Sequence, residues 1–100
     1  MATRDGQSIL AERVPLPVDD AQSVSWRLGT ELAAEKPECA HLERADGAGS
    51  LTVYEATDHT VLARFRTPVG RETFFGLATL DLEDALDRLP ADWRVVRSDC

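Results

Sequence analysis

The chain has 100 residues, 43% of them hydrophobic, so it is long enough to fold around one core and too short for several domains. Eleven basic and eighteen acidic residues give a net charge of −7, which excludes the basic footprint that a double-stranded DNA binder needs. Two cysteines are too few for a disulfide-rich scaffold, and no apolar run reaches the roughly 20 residues of a membrane span. We therefore predict one cytoplasmic domain over residues 1–100, with no membrane association.

An arm and a helix are predicted first along the chain. Residues 1–7 have the composition of a frayed start, and two prolines limit residues 8–18 to an edge strand or an extended arm. Helical spacing of apolar residues predicts a helix over about residues 21–36, capped by an aspartate at 19 or 20. Its apolar stripe consists of Val24, Leu28 and Leu32. Gly29 lies inside this helix and permits close packing on a sheet.

Four strands are predicted next, over residues 39–45, 51–57, 60–67 and 71–78. If residues 68–70 form the loop of the last hairpin, Arg64 lies opposite Phe74 and Arg66 lies opposite Glu72. That register separates an apolar face from a charged face. The register of strand 51–57 stays open, because two-residue and three-residue loops turn opposite faces inward.

A second helix and a closing strand complete the predicted fold. Thr79 or Asp81 caps a helix over about residues 82–89, which Pro90 ends, and residues 93–97 are typical of a strand. These elements predict an α+β fold, with an antiparallel sheet of four to five strands and two helices packed on one face.

An acidic stretch covers the second helix. It contains Asp81, Glu83, Asp84 and Asp87. Such a stretch is either a solvated helix face or a docking surface that steers a basic protein partner. Trp26 lies off the apolar stripe of the first helix, so it either anchors the same partner or packs under the N-terminal arm on Leu16. The leading hypothesis is a non-enzymatic interaction or regulatory module, of inhibitor, immunity or accessory type, that needs no cofactor.

Arg64 and Arg66 support a second hypothesis. They share the charged face of the predicted sheet, where they would hold an anionic small ligand in a dimeric binding domain. The alternative is that they form cross-strand pairs with acids on neighbouring strands, such as Glu72.

Cys39, or a pair of carboxylates, supports a third hypothesis, a small enzyme. Cys39 and His41 share one face of a strand, and Cys39 with either His41 or His59 suits a thiolate–imidazole pair, but no flanking sequence of a known type accompanies them. Together with His59 and Cys100 they lack the spacing of a zinc site, so we predict no metal. A reducing cytoplasm favours free thiols over a disulfide between Cys39 and Cys100.

Overall fold

The computed structural model describes Leu16 and residues 21–100. In chain order these residues form β1 (Gln22–Val24), α1 (Trp26–Glu35), β2 (Glu38–Arg44), β3 (Ser50–Glu55), β4 (Thr60–Arg66), β5 (Glu72–Ala78), α2 (Thr79–Asp87) and β6 (Trp93–Ser98). The strands lie in the order β1-β5-β4-β3-β2-β6, and all pairings are antiparallel. The α+β class is confirmed, but the sheet has six strands instead of four to five. The predicted frayed start and most of the predicted arm lie outside the described residues.

The predicted helix over residues 21–36 divides into a short strand and a shorter helix. Val24 pairs with Phe74 and extends the sheet by one edge strand, β1. Ser25 then caps α1, because its Oγ accepts a hydrogen bond from the Leu28 N–H at 3.2 Å. The predicted aspartate cap is therefore wrong. The predicted stripe is wrong at Leu28, which is 49% exposed.

The predicted register of the β4–β5 hairpin is confirmed. Arg64 lies opposite Phe74, and Arg66 lies opposite Glu72. In the preceding hairpin Val53 lies opposite Ala63, and the Ala56 N–H donates to the Thr60 carbonyl at 3.1 Å. The β3–β4 hairpin therefore has the three-residue loop, which was one of the two loop lengths that the sequence left open.

The two helices lie on opposite faces of the sheet, so the prediction that both pack on one face is wrong. On the face covered by α2, here called the α2 face, Leu82 and Ala85 pack against a cluster that includes Phe75. On the other side, the α1 face, Leu32 and Ala33 pack against Tyr54, Leu62 and Phe74. Neighbouring residues in a strand point to opposite faces, and Phe74 and Phe75 are both buried. The central strands are therefore covered on both sides.

Gly29 sets the distance between α1 and the sheet. A Cβ atom at this position would lie 2.2 Å from Cγ of Phe74, far inside van der Waals contact. Gly29 is the buried residue of α1, and it rests on the Phe74 ring. The predicted close packing at Gly29 is confirmed.

Cys39 and Cys100 form a disulfide, so the expectation of free thiols is wrong. Their Cα atoms are 4.8 Å apart, and the bond joins positions 61 residues apart in sequence. Closing such a long segment restricts the unfolded chain and typically stabilises a fold by about 2–4 kcal/mol. Neither helix among the described residues has the length and apolar character needed to cross a membrane.

Candidate docking surface on α2 and the arginine-bearing face

Helix α2 has one apolar side and one polar side. Leu82 and Ala85 are fully buried against the sheet, and Leu86 and Leu89 pack at the margin of the same cluster. Asp81 lies in the first turn, where the positive end of the helix dipole favours a carboxylate. The buried side of α2 is therefore fixed by packing, and this determines which residues face solvent.

The solvent side of α2 consists of four residues at helical spacing, here called the acidic face. They are Leu80, Glu83, Asp84 and Asp87. Positions three, four and seven residues apart lie on one side of a helix, so all four share one surface. All four are exposed, and Leu80 is 76% exposed. The structure thus brings three of the four predicted acidic residues together, with Asp81 half-buried at the side of the helix.

The acidic face keeps most of its negative charge. Asp84 pairs with Arg88 at 2.5 Å, and both side chains are more than half exposed, so solvent weakens the pair. Within the described residues, Glu83 and Asp87 make no ion pair with another side chain. The acidic face therefore combines one exposed apolar residue with three carboxylates, of which only Asp84 has an ion-pair partner among the described residues.

Trp26 is not brought together with the acidic face. It begins α1 and is 63% exposed, but α1 and α2 are separated by the sheet. Leu16, on which Trp26 packs in one of the two predicted alternatives, is buried in the cluster on the α2 face. The two residues therefore lie on opposite sides of the sheet, and Trp26 does not pack on Leu16.

Arg64 and Arg66 meet at Glu72 on the α1 face. Arg66 donates from Nε to Oε2 of Glu72 at 2.8 Å and again from its Nη2, and Arg64 Nε lies 3.7 Å from the same oxygen. The Glu72 side chain is only 15% exposed. This is the cross-strand pairing that competes with anion binding, because one carboxylate already neutralises part of both guanidinium charges.

The Arg64 guanidinium is also held between two aromatic rings. Its centre lies 5.8 Å from the Tyr54 ring centroid and 5.6 Å from that of Phe74. Nη1 of Arg64 donates to the Tyr54 hydroxyl at 3.1 Å. Burial raises the pKa of the Tyr54 phenol above its ordinary value. These contacts place the Arg64 guanidinium at the edge of the small apolar cluster under α1, where it covers the Tyr54 and Phe74 rings.

A further polar group on the α1 face was missed by the sequence analysis. His41 Nδ1 lies 3.1 Å from Oγ1 of Thr52, and His41 Nε2 lies 3.3 Å from Oε2 of Glu43. Arg94 donates to the other Glu43 oxygen at 2.7 Å. The hydrogen bonds from Arg94 and His41 hold the pKa of the Glu43 carboxyl below its ordinary value. Only the β2–β3 and β2–β6 registers reveal this group, since its residues are far apart in sequence.

Cys39 and His41 do not share a face, contrary to the prediction. The β2–β3 register shifts between Glu38 and Ala40, which makes Cys39 the extra residue of a bulge. Cys39 turns into the cluster on the α2 face, and its sulfur is joined to Cys100. The predicted thiolate–imidazole pair is therefore absent. Within the described residues, no cluster of at least three His, Cys, Asp or Glu side chains is arranged to hold a metal ion.

Comparison of the chain with known proteins gives no relative. Neither protein-family models nor curated proteins nor solved structures match it. A function for this chain must therefore be inferred from its residues and their arrangement.

Proposed function

We propose that the protein is a non-enzymatic interaction module, of inhibitor, immunity or accessory type, that docks the acidic face of α2 onto a basic protein partner. The observation that carries the proposal is Leu80, which is 76% exposed and lies one turn before the first of three exposed carboxylates on the same side of α2. Protein interfaces commonly combine apolar contact residues with charged residues at the rim. The acidic face offers both kinds of residue side by side on a single helix.

The acidic face is supported by a rigid base. Directly beneath it, Leu82 and Ala85 are 0% exposed and pack into the larger of the two apolar clusters. A surface held in one conformation before binding loses little entropy on association. The packing of α2 therefore favours recognition by a preformed surface over recognition by a segment that folds on binding.

The partner surface should combine basic side chains with an apolar recess for Leu80. Carboxylates at the rim chiefly raise the association rate and set its dependence on salt, whereas a buried anchor chiefly slows dissociation. We assign Trp26 no part in this surface, because it lies across the sheet.

The cytoplasm is the cellular compartment that we propose for this protein. Docking through the acidic face needs only one copy of the chain. Stable disulfides are rare in the cytoplasm of most organisms, with hyperthermophiles as an exception. The redox state of Cys39 and Cys100 in gently lysed host cells tests this part of the proposal. Partial or complete reduction agrees with a cytoplasmic location, and complete oxidation in a mesophilic host would contradict it.

The docking proposal is tested by the rate of association with a partner captured from the host and then purified. We expect the double variant Asp84→Lys, Asp87→Lys to associate about tenfold more slowly at low salt, with a flatter salt dependence. Leu80→Ala should instead raise the dissociation rate about tenfold. Stopped-flow or surface-based kinetics over a range of ionic strength measure both effects.

A matched control separates the acidic face from net charge. The double variant Glu31→Lys, Glu35→Lys changes the net charge by the same amount, but on exposed positions of α1. We expect this control and Trp26→Ala to associate as the wild type does. Equal slowing by both double variants would contradict the proposal, because only overall charge would then matter. Unchanged kinetics in the α2 variants would contradict it as well.

A further inference from the structure

The disulfide and the strand that precedes it suggest a site of covalent modification, independent of the acidic face. Strand β6 is the edge strand beside β2, and its residues after Trp93 are exposed. Val95 and Val96 are 41% and 54% exposed, so the later part of β6 buries little apolar surface. Apolar packing therefore does little to hold this part of β6 to the sheet.

The beginning of β6 is well anchored. Trp93 is 8% exposed, its ring centroid lies 6.3 Å from that of Phe65, and the Arg44 guanidinium lies 5.9 Å from it. Arg44 also pairs with Asp92 at 3.1 Å, and the Ala45 N–H donates to the Asp92 carbonyl at 2.8 Å. This end of the strand is fixed by packing and hydrogen bonds.

The other end of β6 depends on weaker contacts and on the disulfide. A bulge interrupts the β2–β6 ladder between His41 and Leu42, and Val96 has no partner across it. Arg97 pairs with Asp99 at 2.7 Å and lies 3.8 Å from Glu38, but these side chains are exposed to solvent. The Asp99 N–H donates to the Cys39 carbonyl at 2.6 Å, directly beside the covalent bond.

We propose that the Cys39–Cys100 disulfide is a reducible clamp, and that thiol–disulfide exchange with a cellular dithiol releases residues 94–100 from the edge of β2. Cys100 is partly exposed and Cys39 is buried, so the incoming thiolate attacks Sγ of Cys100. The sulfur–sulfur bond breaks, and Cys39 leaves as a thiolate that takes a proton from water. The second thiol of the dithiol then attacks the mixed disulfide. Cys100 leaves as a thiolate that is protonated, and the dithiol is oxidised to its own disulfide.

The consequence of exchange is local. Packing keeps Trp93 in place, whereas residues 94–100 lose the link that holds them at high effective concentration beside β2. The outer edge of β2 then becomes an unpaired row of backbone N–H and carbonyl groups. The rest of the sheet keeps its ladder, because β3, β4 and β5 are not paired with β6 in the strand order.

Hydrogen exchange with mass spectrometry tests the clamp, with dithiothreitol as the dithiol. We expect native wild-type protein to be reduced under non-denaturing conditions, and amides of residues 94–99 and of β2 to exchange about tenfold faster afterwards. Amides of β3–β5 should lose only the protection that the lower global stability of the reduced protein accounts for, and they should stay better protected than residues 94–99. Cys100→Ser without dithiothreitol should show the same pattern, and dithiothreitol should not change that variant further.

Three results would overturn the clamp. A disulfide that resists dithiothreitol in the folded protein is not a site of exchange. Unchanged protection of β6 after confirmed reduction would show that the ladder alone holds the strand. Equal protection of residues 94–99 and of β3–β5 after reduction would show that β6 opens only when the whole fold unfolds.

Discussion

The two faces of the sheet are covered by helices of similar length, ten residues in α1 and nine in α2, yet they are built differently. On the α2 face, Leu82 and Ala85 enter a cluster that extends over several strands, from Leu77 to Trp93. On the α1 face, three buried side chains surround one point of close contact, and the remaining surface is polar. The α2 face supplies most of the apolar burial, and the α1 face combines a small apolar contact with ion pairs.

This difference explains why we place the docking surface on α2. A helix seated on the larger cluster keeps its orientation when its outer face binds a partner. Helix α1 packs on a small cluster in which Gly29 contacts the Phe74 ring, so substitutions there should mainly destabilise that face. Substitutions on each side of the sheet test this asymmetry.

Phe74→Ala should have the largest effect on the α1 face. Phe74 is 1% exposed and is the larger of the two fully buried side chains of that cluster, so its loss should cost about 3–5 kcal/mol in the free energy of unfolding. We expect the amides of α1 to lose protection from hydrogen exchange while those of α2 keep theirs. Urea unfolding and hydrogen exchange measure the two effects.

Leu82→Ala is the matching substitution on the α2 face. Leu82 is 0% exposed, and its truncation should lower the free energy of unfolding by about 2–5 kcal/mol. Here we expect the amides of α2 to lose protection from hydrogen exchange before those of α1. If both variants deprotect both helices equally, the two faces form one cooperative unit and the proposed asymmetry is wrong.

Gly29→Ala should destabilise the protein although alanine is the better helix former. The added methyl group would overlap the Phe74 ring, and overpacking of this kind costs about 1–3 kcal/mol, against a gain of about 1 kcal/mol in helix propensity. Thermal or urea unfolding gives the net change.

A second substitution identifies the cause. Phe74→Leu removes the ring, so Gly29→Ala should be less costly in that background than in the wild type. Additive effects in the double variant would mean that Gly29 and Phe74 do not interact, contrary to the structure.

Glu72→Gln should have a moderate effect on the polar part of the α1 face. The variant keeps the shape of the side chain but removes the charge that Arg64 and Arg66 share, which should cost about 1–3 kcal/mol. The matched control is Glu55→Gln on β3, an exposed position. Equal stability of the two variants would show that the ion pairs of Glu72 with Arg64 and Arg66 contribute nothing to the free energy of unfolding.

Substitution of Asp46, in the turn between β2 and β3, should have the smallest effect on stability, and the size of that effect should depend on pH. A hydrogen bond from the Ala48 backbone N–H, at 2.8 Å, holds the pKa of the Asp46 carboxyl below its ordinary value of 3.8. The lowered pKa contributes stability above the unfolded-state pKa, and this contribution is lost as the pH falls through the folded-state value.

The comparison with Asp46→Asn checks the sign of this dependence. We expect the wild type to exceed the variant in stability at neutral pH, and the difference to shrink in acid. Carbon-detected NMR titration of the wild-type carboxyl should give a midpoint below 3.8. A midpoint at or above that value would contradict the assignment.

The sequence predicted the hairpins well, because their loops and their alternation carry the information locally. Placing the loop at residues 68–70 gave the full β4–β5 register, including Arg66 opposite Glu72. The bounds of β2 to β5 were predicted to within one or two residues. Strand β1 was missed because three residues are too few to interrupt a helical pattern.

The sides on which the helices pack were not predicted, although the sequence holds a signal for them. Val61, Leu62 and Ala63 are consecutive apolar residues, as are Phe74 and Phe75. Such runs are typical of strands that are covered on both faces, whereas a half-solvated sheet shows strict alternation. Pairing of Cys39 with Cys100 was not predicted either, because it depends on the bulge in β2 and on how β6 ends.

The acidic residues of the candidate site were predicted, but its exposed apolar residue, Leu80, was not. The sequence analysis began the second helix at Leu82, so Leu80 lay outside it. The helix starts at Thr79, and this earlier start places Leu80 on the same side as Glu83, Asp84 and Asp87. Helix starts are poorly fixed by sequence when, as here, no side chain caps them.

We propose the acidic face of α2 as the docking surface, and amide chemical-shift mapping of the ¹⁵N-labelled protein with its purified partner tests this proposal. We expect the largest shift changes on binding at Leu80, Glu83, Asp84 and Asp87, while α1 and the surroundings of Arg64, Arg66 and Glu72 stay unchanged. Changes concentrated on α1 around Trp26, or around those three residues, would contradict the proposal.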